Sequence, residues 1–143
     1  MNLPNSLRLV IDTNVLLVSI PPKSKYHWFY QALITRTFST FVTTEILSEY
    51  EEVITSKLGT EASSSVIRTL IELENVTPIT AYFKYQLIAN DPDDDKFVNC
   101  AIAANVHYIV THDSHFNILK EISFPKILIA TLPEIQKLLY PQV

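Results

Sequence analysis

The sequence predicts an α/β fold, a three-layer sandwich with helices packed on both faces of a mostly parallel sheet. Three observations predict it. Five short apolar or β-branched runs, at residues 7–11, 38–43, 76–79, 108–111 and 127–130, alternate with segments of helical period. Runs this apolar suit strands covered on both faces, and strands alternating with helices suit parallel crossovers. The second observation is that the 143 residues, 48% hydrophobic and 18% charged, suffice for one compact core. The third is that no repeat, low-complexity tract or linker interrupts the chain, so residues 1–143 read as a single domain.

Taken in order, residues 7–11 form a buried strand ending at Asp12, and Pro21 and Pro22 then break the chain. Residues 26–34 carry aromatic and aliphatic side chains at helical spacing, and residues 38–43 are strand-like. Thr44 is the expected N-cap of a helix running to about Leu58, with the stripe Ile46, Tyr50, Val53, Ile54 and Leu58. Lys57 complements the dipole in its last turn, and Gly59 is the stop. A helix over residues 62–74 and a short strand at 76–79 follow, and residues 81–89 read as a short helix. Asp93 or Asp94 opens a helix to about Asn105, ahead of the strand at 108–111. Residues 114–121 look helical, residues 127–130 are the fifth strand, and Pro133 sits early in a last helix ending near Tyr140.

Composition narrows the functions available. Gly59 is the only glycine, which excludes a glycine-rich phosphate loop and a dinucleotide-binding fingerprint. The single cysteine, Cys100, excludes an internal disulfide framework or a Cys-rich zinc site, and its apolar neighbours suggest packing. No apolar run approaches the roughly 18 residues of a membrane span. The start MNLPNSLRLVID lacks the basic region and long apolar stretch of a signal peptide, so the expected location is cytoplasmic and no membrane partner is expected. The net charge of -4 is awkward for a nucleic-acid enzyme unless the acids cluster where divalent cations neutralise them. Four of the fifteen acids do crowd into DPDDD, from Asp91 to Asp95.

In open parallel sheets the ligand crevice lies outside the carboxyl ends of the strands. That rule gathers Asp12, after the first strand, Asp113, after the fourth, and Glu49 and Asp94, on the segments leaving the second and third. Each has a plainer alternative. Asp12 and Asp113 are also suitable helix caps, Glu49 borders its apolar stripe as many solvated glutamates do, and acids near Asp94 suit a helix start. Asp94 says more, because offsets of three, four, seven and eight reach Phe97, Val98, Ala101 and Ile102. It therefore heads the buried face, where a carboxylate costs several kcal/mol unless paired, and a metal ion supplies that pairing. Carboxylates gathered this way suit a hard divalent cation that activates water and stabilises a phosphodiester transition state. Asn14 and Thr13 either orient the Asp12 carboxylate or are turn residues.

These residues resemble the PIN-domain family. The run Val10-Ile11-Asp12-Thr13-Asn14-Val15-Leu16 is similar to its first motif. Val42-Thr43-Thr44-Glu45-Ile46-Leu47-Ser48-Glu49-Tyr50 resembles the second, and that alignment selects Glu49 over Glu45. Asp91-Pro92-Asp93-Asp94-Asp95 with Phe97, Cys100, Ala101 and Ala104 resembles the third, with the family acid at Asp94. Tyr108-Ile109-Val110-Thr111-His112-Asp113 with Phe116 resembles the fourth. Four motifs in order span nearly the whole chain, and the pattern looks like the branch described as toxins of toxin–antitoxin systems, the VapC-like ribonucleases. The resemblance implies a five-stranded sheet in the order 3-2-1-4-5, magnesium (Mg2+) or manganese (Mn2+), RNA as substrate and a protein antitoxin as partner. Asp12, Glu49, Asp94 and Asp113 are then the catalytic and metal-binding set, with Asn14, Thr111, His112 and Lys96 around substrate or behind the acids. The sequence departs from the pattern at Asn99 and His115, where some relatives carry an acid; an amide or imidazole there weakens a second metal site.

His112 and His115 on one loop with Asp113 fall short of a zinc site, and His112 instead suits contact with phosphate. Lys96, Lys23 and Lys25 either meet an RNA backbone or are ordinary solvated lysines. Tyr26, Trp28, Phe29 and Tyr30 suit core or a homodimer face better than base stacking. Two rival readings remain. One is another Mg-dependent phosphoryl-transfer domain, against which Lys126 precedes the fifth strand where such sites need a lysine after a later strand. The other is an interaction module with weak catalysis, which predicts no divalent ion bound near millimolar concentration.

Overall fold

The computed structural model describes residues 7–88 and 92–141. The remaining residues include the N-terminal stretch read for a signal peptide, Asp91 of the acidic run and residue 89 of the expected short helix; those readings lie outside the described part. Five strands, β1 (Arg8–Ile11), β2 (Ser39–Val42), β3 (Val76–Pro78), β4 (Tyr108–Val110) and β5 (Ile129–Ala130), form one sheet in the order β3-β2-β1-β4-β5. Every neighbouring pair is parallel. The expected α/β class and strand order are both found.

Six helices connect the strands: α1 (Thr13–Ser19), α2 (His27–Ile34), α3 (Thr44–Leu58), α4 (Thr60–Glu72), α5 (Asp95–Ala104) and α6 (Leu132–Leu139). Two 3-10 turns, Pro92–Asp94 and Ser114–Glu121, complete the described elements. β1 is central and its Leu9, Val10 and Ile11 are buried, as a strand covered on both faces must be. On α3 the expected stripe faces inward at Ile46, Tyr50 and Ile54, each worth roughly 1.5–3 kcal/mol of burial. On α2, Phe29 stacks on Phe38 at 5.0 Å between centroids, so this aromatic is core. Cys100 is buried on α5, and burial pushes its thiol up to about 12, in keeping with a packing role.

Two expectations change. The N-cap of α3 is Thr43, whose hydroxyl accepts from the Ile46 N–H at 3.2 Å, so the helix starts at Thr44 instead of being capped by it. Gly59 ends α3 at φ 96°, a conformation that disfavours residues with a Cβ. The expected helix over 81–89 is absent: residues 79–88 run without helical or strand structure. Gln86 has φ 54°, and the N–H groups of Tyr85 and Ile88 donate to the side chains of Asn99 and Asp95, both at 2.9 Å, in place of a helical ladder. Residues 114–121, expected to be helical, form a 3-10 helix. Among the described residues, no helix is long and apolar enough to cross a membrane.

Candidate active site

The sheet delivers its acids to one edge. Asp12 follows β1, and its N–H donates to the Val110 carbonyl at 3.0 Å, which ties the end of β1 to β4. The carboxylate is 5% exposed and accepts from the Thr111 hydroxyl at 2.8 Å. Asp12 occupies the N-cap position of α1, but its side chain makes no standard cap hydrogen bond to that helix. Burial pushes the Asp12 carboxyl up to about 6, and the charges of Asp113 and Glu49 push the same way, against the Thr111 hydroxyl and the Thr13 N–H. Asp113 and Glu49 are therefore both within electrostatic reach of Asp12.

Glu49 arrives on α3. The buried Tyr50 hydroxyl donates to the Ile11 carbonyl at 2.5 Å, which fixes that helix against the end of β1 and sets Glu49 beside Asp12. One Glu49 oxygen accepts from the Thr13 hydroxyl, and the other pairs with the Lys96 ammonium at 2.7 Å. Lys96 also donates to the Asp93 carbonyl. Its side chain is 15% exposed, so the lysine expected at substrate is folded into the acid cluster. Thr13, for its part, holds Glu49.

Asp94 ends the first 3-10 turn and is the N-cap residue of α5, above the buried face of Phe97, Val98 and Ala101. Its side chain is 14% exposed. Asp113 is the N-cap of the second 3-10 turn, accepting from the His115 N–H at 2.9 Å. The same Asp113 oxygen, Oδ1, also lies 3.6 Å from His115 Nδ1, which is 3.8 Å from Asp94 Oδ2. Donor atoms of Asp94, Asp113 and His115 all lie within 4.8 Å of one another. This group contains two of the four expected acids and excludes Asp12 and Glu49. His115, noted in the sequence as a departure from the family pattern, thus becomes a neighbour of both acids.

The remaining expected residues separate. Thr111 is buried, and its oxygen also accepts from the Asp113 N–H at 3.0 Å. Asn14 is exposed on the first turn of α1 and, with Asp12, Asp113 and His112, lines a cleft of about 320 Å³. The Nε2 of His112 accepts from the Leu132 N–H at 3.1 Å, so that nitrogen is engaged with α6. Lys23 and Lys25 are exposed, and Lys25 Nζ lies 5.1 Å from the Tyr26 ring centre. Sequence reasoning missed the Tyr50 hydroxyl, because an aromatic in an apolar stripe reads as packing alone.

A protein-family model described as "PIN domain" matches residues 8–115. The chain belongs to the PIN-domain family. The match runs from β1 through His115 and so takes in all four acids. The fold of this PIN-domain chain is also similar to a solved structure described as VapBC2 from Rickettsia felis bound to a DNA fragment from their promoter. That likeness has a TM-score of 0.60 at 17% identity, and it covers 87% of this chain and 98% of the other. No match was found among curated proteins. Family membership places the chain among nucleases, and the acid-lined sheet edge is consistent with that chemistry.

Proposed function

We propose that this chain is a metal-dependent endoribonuclease, with residues 1–143 acting as one domain and Asp12, Glu49, Asp94 and Asp113 as its catalytic and metal-binding acids. The observation that carries the reading is Asp12. A carboxylate this buried, with its pKa pushed up to about 6 by desolvation and by two further acids, sits where a positive charge is needed. The donor set is chiefly carboxylate oxygen, which suits a hard cation such as Mg2+ or Mn2+. The residues present fit such an ion.

A divalent ion held there supplies a more acidic water and neutralises charge developing on the phosphate. The chain does the rest. Thr111 holds the Asp12 carboxylate in one orientation, and Thr13 and Lys96 do so for Glu49. Lys96 also limits the repulsion that four neighbouring carboxylates offer to an approaching polyanion. Asn14 stands at the cleft mouth in reach of substrate. RNA as substrate, and a role as the toxin of a toxin–antitoxin pair with a protein antitoxin as partner, are supported by the sequence resemblance to that branch and by the structural likeness to VapBC2. The expected site of action is the cytoplasm.

The test combines calorimetry and cleavage. Mn2+ titrated into the parent protein is expected to bind below millimolar concentration, and single-stranded RNA to be cut only with the ion present. Asp94→Asn is expected to lose both. Cleavage by Asp94→Asn at the parent rate would sink the assignment, and no ion binding by the parent would favour an interaction module.

A further inference from the structure

The cleft beside Asp12 and Asp113 is not accounted for by ion binding. Its other walls are Asn14, Val15, Val18, Tyr26 and His112, which make a mainly apolar surface with one amide. The Tyr26 and His112 rings meet edge-on at 5.6 Å, and the Leu132 N–H holds the imidazole from behind through Nε2. A neutral His112 therefore carries its proton on Nδ1. Lys25 Nζ lies 5.1 Å from the Tyr26 ring centre.

We infer that this cleft is a base-binding subsite, taking the nucleobase of an unpaired nucleotide next to the phosphate that is cut. The inference rests on the ribonuclease reading and adds a subsite to it. Three features argue for a base over an apolar protein side chain. The cleft shares the Asp12 and Asp113 walls with the acid cluster, so its occupant is covalently close to whatever reacts there. Its volume, about 320 Å³, is at the small end of ligand pockets and suits one ring system. The Asn14 amide offers both a donor and an acceptor, matching the edge of a base. A base in a duplex is stacked and paired, so only an unpaired nucleotide can enter.

The test pairs a missing base with a filled cleft. A short single-stranded RNA and the same strand with one abasic nucleotide beside the mapped cut are compared for binding by fluorescence anisotropy. The parent is expected to bind the abasic strand about tenfold more weakly. Val18→Trp fills the cleft from an exposed position, and Tyr26→Ala removes a wall; both are expected to abolish the difference between the strands. Tyr26→Phe is expected to keep it. Equal binding of both strands by the parent, or an undiminished difference in Val18→Trp, overturns the base subsite while RNA cleavage continues. Failure of the parent to bind or cut the intact strand overturns the subsite and the ribonuclease reading together.

Discussion

Glu49 and Asp113 both act on the Asp12 carboxyl, and Glu49 and the Asp94–Asp113 pair are balanced by different means. Glu49 has a mostly buried ammonium at 2.7 Å, from Lys96. Asp94 and Asp113 share an imidazole at 3.6–3.8 Å whose side chain is 48% exposed. Asp12 between them has hydroxyl and amide donors, and no cation is among the groups that set its carboxyl. The difference teaches where an arriving cation gains most. Charge at Glu49 is already offset by an ammonium, charge at Asp94 and Asp113 meets an imidazole that is itself half in solvent, and charge at Asp12 meets no cation.

The largest effect is expected from Asp12→Asn. Cleavage should fall on the order of a thousandfold, since the central charge contributes several kcal/mol to holding the ion. A loss under tenfold in a single-turnover assay would move the centre of the site away from Asp12. The same residue predicts a pH dependence in metal-free protein. Its folded pKa of about 6 lies above the ordinary 3.8, so its contribution to stability is fully present below about 3.8 and is lost as pH rises through about 6. The loss amounts to about 3 kcal/mol. Urea unfolding in a chelator at pH 5 and pH 7.5 should show the decline, and Asp12→Asn should flatten it. A parent protein equally stable at both values would refute the central imbalance.

A smaller effect is expected from Lys96→Met. Removing the ammonium frees Glu49 for the ion, and Mn2+ affinity by calorimetry should rise about fivefold, near 1 kcal/mol. Smallest of all is His115→Gln, expected to change that affinity by less than about twofold because the side chain is half exposed and interactions there are screened by solvent. Equal changes in the two variants would show that burial does not separate the two sides.

Much of the fold was legible because short apolar strands and the α3 and α5 stripes are local patterns. Asp94 was legible for the same reason: offsets along one helix aim it over Phe97, Val98 and Ala101, all buried. The strap at 79–88 was not, since its hydrogen bonds are borrowed from Asn99 and Asp95 on α5. The Lys96–Glu49 pair spans 47 residues, and the contact of Thr13 with Glu49 spans 36, so neither leaves a trace in local spacing. The capping duty of Asp113 was correctly left open beside its place in the cluster, and the structure shows the cap together with the approach to Asp94 and His115.

One oxygen atom, Thr111 Oγ1, donates to Asp12 and accepts from the backbone of Asp113. Strand-end geometry and loop geometry thereby share a single hinge pin, so neither acid can be re-aimed alone. Evolution or engineering that shifts one must shift its counterpart, and paired substitutions around this threonine will combine non-additively, with a shortfall that measures how stiffly the pin transmits movement.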